Sequence, residues 1–587
     1  MGVPGLFPWI KKHFPRAVAH FHASKQHGVV EYLYVDANGL LHTAAQRVYN
    51  YGDRKRMLDP FKQLAPDEKM AKTFAVFFDL LREVARIMRP TTLLYVAIDG
   101  PAPVAKQQQQ RQRRFVAHRD RAKAALAKKV PAGAAAPPPF DSNCITPGTI
   151  FMFRLTQYLN CAIRREINAG AWRELQVVFS SGTVPGEGEH KIMDFIRANR
   201  AHRNARHCFY GLDGDLIMLT LAAQCRRMTL LRENQYEVDR YHAVDIAQLR
   251  QNLVRNIQKN RPWCLERNVV NDFIVLGFFV GNDFLPKIQM FLFLADGLNT
   301  LLSADYHPLT RGGRLHLPAF ATFVELIARD EQRFIADQAP RRMLAPKFVN
   351  RTLLAHMRPD GTLDFAAYRA AYYEKVGVGS AADVRARAPR AERRLRQLCA
   401  DYLRGFAWVA EYYIHGLASW TWCYRWHYAP LLTDFAAYLR TVRVLPEFAT
   451  EGPGAPSLPF VQLLSVLPPG SAAELPKALR PLMRSPASPL VRGGVYPAEF
   501  AVDYEGKTKE HMGVALLPFV DRAEVVAAYD GALENKRTRA DLGRMRRNKV
   551  GRQVTFRHTG KDRAPTQYDS RYGTIRELRV SRRVSQK

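Results

Sequence analysis

The sequence predicts an α/β protein, with a mostly parallel central sheet flanked by helices in its first half. Residues 30 to about 305 alternate between short apolar runs and amphipathic stretches, a pattern typical of strands and helices that follow one another. The apolar runs resemble strands buried on both faces, as in parallel sheets. Several runs end in an acidic residue, which places carboxylates at the carboxyl edge of the sheet, where open α/β sheets hold their active sites.

The individual elements of this first half can be assigned in order. The strands EYLYVD, TTLLYVAID and HCFYGLD end at Asp36, Asp99 and Asp213. A basic, Ala-rich and Gln-rich stretch from Lys106 to Lys129 predicts a helix. The segment PAGAAAPPP at residues 131–139 breaks it and predicts a loop or hinge.

The rest of the chain divides by composition. We predict a first domain over residues 1–305 and a linker or helical region over 306–395. A second, α-rich and aromatic region at 396–530 is expected to pack against the first domain. The final segment, 531–587, holds 17 Lys and Arg against 5 Asp and Glu and few apolar residues, which predicts a partly disordered basic arm.

The overall charge indicates a polyanionic partner. The 587 residues carry 87 Lys and Arg against 54 Asp and Glu, a formal net charge of +33. Nucleic acid is the first candidate, although a GC-rich genome would also raise the Arg and Ala content. Seven dispersed cysteines without a CxxC pair argue against a disulfide framework or zinc site and favour a reducing intracellular compartment. We expect no secretion signal, membrane span or membrane partner.

Seven carboxylates form the clearest chemical pattern. They are Asp36, Asp99, Glu187, Glu189, Asp213, Asp215 and Asp283. A single acid at a strand end is usually a cap or loop residue, but several of these lie beside runs that should be buried. Converging carboxylates raise each other's pKa, and divalent cations relieve that repulsion. Oxygen ligands select Mg²⁺ or Mn²⁺, and two such ions can clamp both oxygens of a phosphodiester displacement.

A second pattern lies on the predicted basic helix. Lys106, Gln110, Arg113 and Arg114 follow the spacing i, i+4, i+7 and i+8, which gathers them on one helix face. Two guanidinium groups, an ammonium and an amide can bind a compact phosphate dianion. From composition alone, a solvated basic face is the simpler interpretation.

Six motifs of the first half occur in the order found in one known family. The motifs YVDANGLLH, AIDGPAPVAKQQQQRQRRF, FDSNCITPGT, VPGEGEHKIMDFIR, GLDGDLIML and VGNDFLP resemble the first conserved region of the Xrn family of 5′→3′ exoribonucleases. HGLASWTWCYRWHYAP, LPFVQLLSVLPP and VALLPFVD resemble its second conserved region. The resemblance covers about three quarters of the chain, and size and composition suggest a compact microbial or viral form.

The resemblance implies a PIN-like nuclease fold that degrades 5′-monophosphorylated single-stranded RNA processively to mononucleotides. All seven acids match the family's metal-binding set, and Asp272 matches a supporting acid. The resemblance also favours a 5′-phosphate pocket over the solvated-face interpretation of Lys106, Gln110, Arg113 and Arg114. It implies that His42 and either Trp420 or Trp422 stack on the leading base. Implied partners are factors that generate 5′ ends, such as decapping enzymes, and the protein is expected to act as a monomer.

The sequence departs from the family pattern at two places, and three alternative functions remain open. Gly214 stands where the family commonly has Ala, and a cysteine cluster of the nuclear branch is missing after LLRENQYEVDR. A flap-endonuclease-like enzyme would share the acids but cut branched DNA. A catalytically inactive RNA-binding protein would be expected to lose at least one acid. A basic structural protein that coats nucleic acid would leave the acids without a purpose.

Overall fold

The computed structural model describes most of the chain. The described residues are 5–25, 28–52, 58–127, 140–234, 237, 239–259, 261–288, 307–339, 345–445, 452–560 and 563–585. The breaker at 131–139 lies outside them. Among the described helices, none combines the length and the apolar character needed to cross a bilayer.

Helices of the first half alternate with strands, as the sequence predicts. They are α1 (Leu6–His13), α2 (Asn38–Tyr49), α3 (Pro66–Met88), α4 (Val104–Ala127), α5 (Ile150–Ala169), α6 (Gly188–Ala198), α7 (Leu216–Ala222), α8 (Ile246–Gln258) and α9 (Glu266–Phe279). Later helices span Leu317–Ala328, Glu331–Ala336, Arg351–Leu354, Phe365–Val376, Ala381–Arg385, Pro389–Ile414, Leu432–Leu439, Pro459–Val466, Pro481–Arg484, Pro489–Arg492, Arg522–Ala532 and Lys536–Arg544.

Nine of the described strands form one sheet. All the described strands, including those outside this sheet, are β1 (Val18–His22), β2 (Val30–Asp36), β3 (Pro90–Ala97), β4 (Gln176–Ser180), β5 (Arg206–Tyr210), β6 (Arg227–Glu233), β7 (Arg240–Asp245), β8 (Thr310–Arg311), β9 (Arg314–Leu315), β10 (Val502–Asp503), β11 (Val514–Ala515), β12 (Val554–His558), β13 (Thr566–Ser570), β14 (Gly573–Leu578) and β15 (Val580–Val584). The large sheet has the order β1-β7-β6-β5-β2-β3-β4-β12-β15.

The centre of this sheet is parallel, which confirms the predicted fold class. Strand β2 pairs in parallel with both β3 and β5, and the parallel pairing continues to β4 and β6. Apolar side chains of β2, β3 and β4 bury one face beneath α2, α3 and α5. The other face carries Tyr34 and Tyr95, which pack on Phe195 of α6. Helices therefore cover both faces, and β2 is the point where the strand order reverses.

The chain folds into two compact units that interleave along the sequence. The sheet unit comprises Lys11–Leu249, Ala455–Tyr496 and Val520–Lys587, and the helical unit comprises Met1–Ile10, Arg250–Gly454 and Pro497–Phe519. These units do not follow the predicted boundaries at residues 305, 395 and 530. Long-range packing decides the division, for example where the helix Pro459–Val466 packs on α4.

The helical unit is built around an aromatic core. Phe278 and Phe279 of α9 contact Phe406 of the helix Pro389–Ile414 with ring centroids 6.3 and 4.6 Å apart. The fully buried Asp272 accepts hydrogen bonds from the Leu309 amide at 2.9 Å and the Thr310 hydroxyl at 2.7 Å. Asp272 therefore fixes the backbone that leads into β8.

The prediction of a loose basic arm over 531–587 is wrong for the residues that the structure describes. Strand β12 pairs antiparallel with β4 on one side and with β15 on the other. Ile575 and Leu578 bury themselves against Cys161 of α5. A few apolar residues, including the fully buried Phe556, are enough to anchor the segment while most of its arginines face solvent.

Candidate active site

Six of the seven predicted acids lie at the carboxyl edge of the parallel strands. Asp36 ends β2, and Asp99 follows β3 by two residues. Glu187 and Glu189 come after β4, where α6 begins, and Asp213 and Asp215 come between β5 and α7. The ligand oxygens of Asp36, Asp99 and Glu189 all lie within 4.8 Å of one another. The strand order reverses at this edge, where open α/β sheets bind their ligands.

Close backbone approach makes the convergence possible. The amide of Gly188, the first residue of α6, donates to Asp99 Oδ1 at 2.7 Å. A Cβ at position 188 would stand 2.7 Å from Asp36 Oδ1 and 3.4 Å from Asp99 Oδ1. Only glycine therefore lets the start of α6 come this close, which explains the residue between the two glutamates of VPGEGEHK.

The loop that carries Asp213 and Asp215 is held from beneath. Arg232 of β6 donates to the carbonyls of Leu212 and of Asp213, the latter at 2.6 Å. Burial lowers the pKa of Arg232 to about 10, while Asp213 and Asp215 oppose that shift. An arginine remains charged at that value, so Arg232 supplies a fixed positive charge under the loop.

The acids strongly influence one another. Burial raises the pKa of Asp36 well above its usual value, and Asp99, Asp213 and Asp215 raise it further. Burial also raises the pKa of Glu189, with additional contributions from Glu187 and Asp36. Such a set is stable as carboxylates only when cations offset the repulsion.

The donor set fits a divalent metal. The Oδ1 atom of Asp36 is buried and receives no hydrogen bond from the described residues, so an oxygen is left for a ligand. Glu187, Glu189 and His190 form a second group whose possible ligand atoms lie within 4.8 Å of one another. Hard oxygen donors of this kind suit Mg²⁺ or Mn²⁺.

Two residues of this edge had no role in the sequence analysis. Lys191 is buried, and its ammonium donates to the carbonyls of Ile98, Ser181 and Val184 at 2.5, 3.1 and 3.2 Å. Burial lowers the pKa of Lys191 to about 7, against the effects of Asp99, Asp36 and Glu189. His190 also lies in the acidic group. Both belong to VPGEGEHK, but nothing in its spacing shows that they point inward.

The predicted basic helix is α4, and it lies beside the acids. Lys106 is buried and forms an ion pair with Glu187. Gln110 is buried, Arg113 is exposed and Arg114 is half-buried. The Nε of Arg114 donates to the Thr146 hydroxyl at 3.0 Å, so the motif FDSNCITPGT positions one of the candidate phosphate ligands.

His42 of α2 lies within electrostatic reach of both sets of charges. Desolvation lowers its pKa, Arg114 and Arg113 lower it further, and Asp99 and Asp213 act in the opposite direction. The histidine side chain is exposed, which leaves its ring accessible.

The remaining predicted site residues belong to the helical unit. Asp283 is half-buried in a turn where Asn282 accepts hydrogen bonds from the Phe284 and Leu285 amides. Trp422 stacks on the fully buried Trp408 with ring centroids 5.3 Å apart. Trp420 is half-buried, and its amide donates to the Pro453 carbonyl at 2.7 Å. One tryptophan of the pair is thus tied to the core of its unit.

A parallel sheet with clustered carboxylates at its strand-order reversal is the arrangement typical of divalent-metal sites that serve phosphoryl chemistry. Residues 1–234 match the family described as the XRN 5′-3′ exonuclease N-terminus, and residues 363–577 match the Xrn1 helical domain. This chain belongs to the Xrn family.

Three relatives show the extent of the similarity. The 5′-3′ exoribonuclease 1 of Homo sapiens is 30% identical, over 90% of this chain and 34% of the relative. The 5′-3′ exoribonuclease 1 of Schizosaccharomyces pombe is 28% identical, over 90% of this chain and 48% of the relative. The 5′-3′ exoribonuclease 2 of Arabidopsis thaliana is 28% identical, over 92% and 68%. The chain thus spans a third to a half of the length of the first two.

Proposed function

We propose that the protein is a processive 5′→3′ exoribonuclease that hydrolyses 5′-monophosphorylated RNA to mononucleotides. The observation that carries this proposal is the direct neighbourhood of the six carboxylates and the cationic helix α4, joined by the ion pair between Lys106 and Glu187. The carboxylates could hold the metal ions for phosphodiester hydrolysis, and the cations of α4 could bind a terminal phosphate.

The acids would hold two Mg²⁺ or Mn²⁺ ions, which would supply an activated water and neutralise charge on the phosphodiester. Asp36, Asp99, Glu187, Glu189, Asp213 and Asp215 would be the ligands from the sheet unit. Burial and mutual repulsion favour cation binding by these residues. Asp283 of the helical unit stays a prediction from the resemblance.

End recognition would come from α4. Gln110, Arg113 and Arg114 would bind the 5′-phosphate, since charge-assisted hydrogen bonds to a dianion are strong and Arg is suited to phosphate oxygens. Lys106 would contribute charge at the boundary between the two groups. A 5′-hydroxyl would leave these cations without an anion. A cap or triphosphate would be larger than the single phosphate that these residues would bind. Factors that create 5′-monophosphates, such as decapping enzymes, would supply the substrate.

His42 would stack on the leading base together with Trp420 or Trp422. Base stacking on aromatic rings is tolerant of sequence, which suits an enzyme that digests any RNA. The contact of Trp422 with Trp408 indicates a packing role for Trp422 and leaves Trp420 as the better candidate. Trp420→Ala should therefore raise the KM for RNA more than Trp422→Ala, whose main effect should be on stability.

The test is digestion of one RNA sequence that carries a 5′-monophosphate, a 5′-triphosphate or a 5′-hydroxyl, with Mg²⁺ present or chelated. We expect rapid release of mononucleotides from the monophosphate alone, and none with chelator. A branched DNA flap of matched length serves as the competing substrate. Internal cleavage of that flap, or equal rates on all three RNA ends, would contradict the proposal.

A further inference from the structure

The candidate phosphate-binding amide of Gln110 has a buried neighbour from a distant part of the chain. Gln462 lies in the helix Pro459–Val466, is fully buried and belongs to the same sheet unit. Its Oε1 accepts a hydrogen bond from the Ala102 amide at 2.8 Å, and its Nε2 donates to Oε1 of Gln110 at 3.3 Å. A chain of three groups thus runs from the backbone before α4 to a side chain on α4.

The orientation of the Gln462 and Gln110 amides follows from which groups can donate a hydrogen bond. A backbone N–H can only donate, so the oxygen of Gln462 has to face Ala102. The NH₂ group of Gln462 then faces Gln110, which has to offer its own oxygen in return. The NH₂ group of Gln110 is consequently turned the other way. In the described part of the chain, that NH₂ group donates to no acceptor.

Further hydrogen bonds of α4 connect it to the segment that carries Gln462. Arg111 of α4 is buried and donates to the carbonyls of Ser465, at 3.1 Å, and of Val495. Gln107 donates to the Ala102 carbonyl at 2.8 Å and to the Ser457 hydroxyl at 3.4 Å. Residues 457–495 therefore hold α4 on its buried side, while Arg113 stays exposed on the same helix.

We propose that Gln462 is a positioning residue for recognition of the 5′-phosphate. It fixes the carboxamide of Gln110 with the NH₂ group available to a phosphate oxygen and the carbonyl oxygen turned away. Without this constraint the Gln110 amide can rotate and present its carbonyl oxygen to the phosphate. The partial negative charge of that oxygen repels the phosphate dianion. The proposal rests on the proposed function, because it assigns to Gln110 a contact with the terminal phosphate.

A double-mutant cycle tests the role. Gln462→Leu keeps the approximate volume and removes both hydrogen bonds, and Gln110→Ala removes the amide that Gln462 orients. The readout is the ratio of kcat/KM for 5′-monophosphorylated RNA to that for 5′-hydroxyl RNA. We expect Gln462→Leu to lower this ratio by about tenfold, the scale of a lost charge-assisted contact. In the Gln110→Ala background it should change the ratio no further.

Gln107→Met is the matched control. It removes a buried amide one turn earlier on α4, so it should lower stability but leave the ratio unchanged. If Gln462→Leu does not fold, Gln462→Met takes its place, since it retains a linear side chain of similar length. An unchanged ratio in the folded Gln462 variant, or equal effects of that substitution with and without the Gln110 amide, overturns the positioning role alone. A wild-type protein without preference for the 5′-monophosphate overturns the proposed function and this role with it.

Discussion

Individual residues at the carboxyl edge of the sheet illustrate a conflict that the fold creates. Asp36 is buried beside Asp99, Asp213 and Asp215, which raise its pKa in addition to the effect of burial. Arg232 supplies positive charge, and both Arg232 and Lys191 donate hydrogen bonds to backbone carbonyls. The Oδ1 atom of Asp36 receives no hydrogen bond from the described residues, and the energy lost by burying this carboxylate is recovered only when cations bind.

The first prediction separates the chemistry from RNA binding. Asp215→Ala should abolish hydrolysis in Mg²⁺ while RNA affinity is retained or rises, because the acid would hold metal and its removal reduces negative charge. Turnover and filter binding on the same RNA measure the two effects. Asp194→Ala, an exposed acid of α6 paired with Arg197, is the control and should stay active. More than a few per cent of wild-type turnover in Asp215→Ala would refute the assignment.

The second prediction concerns the arginines of α4. Arg113→Ala combined with Arg114→Ala should reduce the preference for a 5′-monophosphate over a 5′-hydroxyl by tens- to hundreds-fold, since each charged hydrogen bond contributes roughly 1.5–3 kcal/mol. Competition between the two RNAs gives the ratio directly. Arg119→Ala, further along the same helix and paired with Asp120, should keep the preference. If the double variant discriminates as well as wild type, the phosphate is bound elsewhere.

Sequence reasoning could predict the position of six acids at the sheet edge, but it gave no role to Lys191, His190 and Gln462. The acids follow strands that are apolar throughout, so their place at the sheet edge could be predicted from the pattern alone. The contact between Gln462 and Gln110 joins positions 352 residues apart. Local periodicity contains no information on such a pair, and a buried glutamine in an apolar helix has no signature that distinguishes it from a surface residue.

At the scale of elements, the strands that complete the sheet are the main difference from expectation. The segment 531–587 was predicted to be a loose arm because its composition is highly basic, but composition averages over the few positions that decide burial. Phe556 is fully buried, and the guanidinium of Arg164 lies 4.8 Å from the centre of its ring. Strand β12 has five residues and only two buried positions, which is too short a pattern for a composition window to detect. Removing the chain from Gly560 onward would therefore delete folded strands and affect stability.

The third prediction tests the role of β12 in the sheet. Phe556→Ala should lower the unfolding free energy of the sheet unit by roughly 3–5 kcal/mol, because it leaves a cavity beside β4 and α5. Chemical denaturation of wild type and variant measures the change. Arg576→Ala, an exposed residue of β14, should stay within about 0.5 kcal/mol of wild type. Equal stability of the Phe556 variant would restore the interpretation of this segment as a loose arm.

At the scale of the whole molecule, the formal charge of +33 coexists with a strongly acidic site. The two are compatible because the acids converge at one edge of the sheet, while basic residues are distributed along the chain and many are exposed. A positive surface attracts RNA over distances of about 8–10 Å at physiological salt. Attraction of this kind does not depend on the sequence of the RNA.

The fourth prediction follows from this charge. RNA affinity of the non-hydrolysing Asp215→Ala protein should fall steeply with salt, with a log–log slope of about −0.7 for each phosphate that the protein neutralises. Titrations of a long single-stranded RNA between low and physiological salt give the slope. An uncharged-backbone analogue of the same sequence should show almost no dependence. A flat response with natural RNA would contradict the electrostatic account.

The pairing of β12 with β4 also has a consequence for biosynthesis. Arg557 and Gln176, which contact each other beside this pairing, are separated by 381 residues. At about 5–20 residues per second, a ribosome needs on the order of tens of seconds to supply β12 after β4 has emerged. During that interval β4 is an open edge strand, the kind of surface on which nascent chains pair wrongly or aggregate. The time at which β12 can pair with β4 is thus set by the rate of translation. We therefore expect that a high yield of folded protein requires chaperones that bind the growing chain.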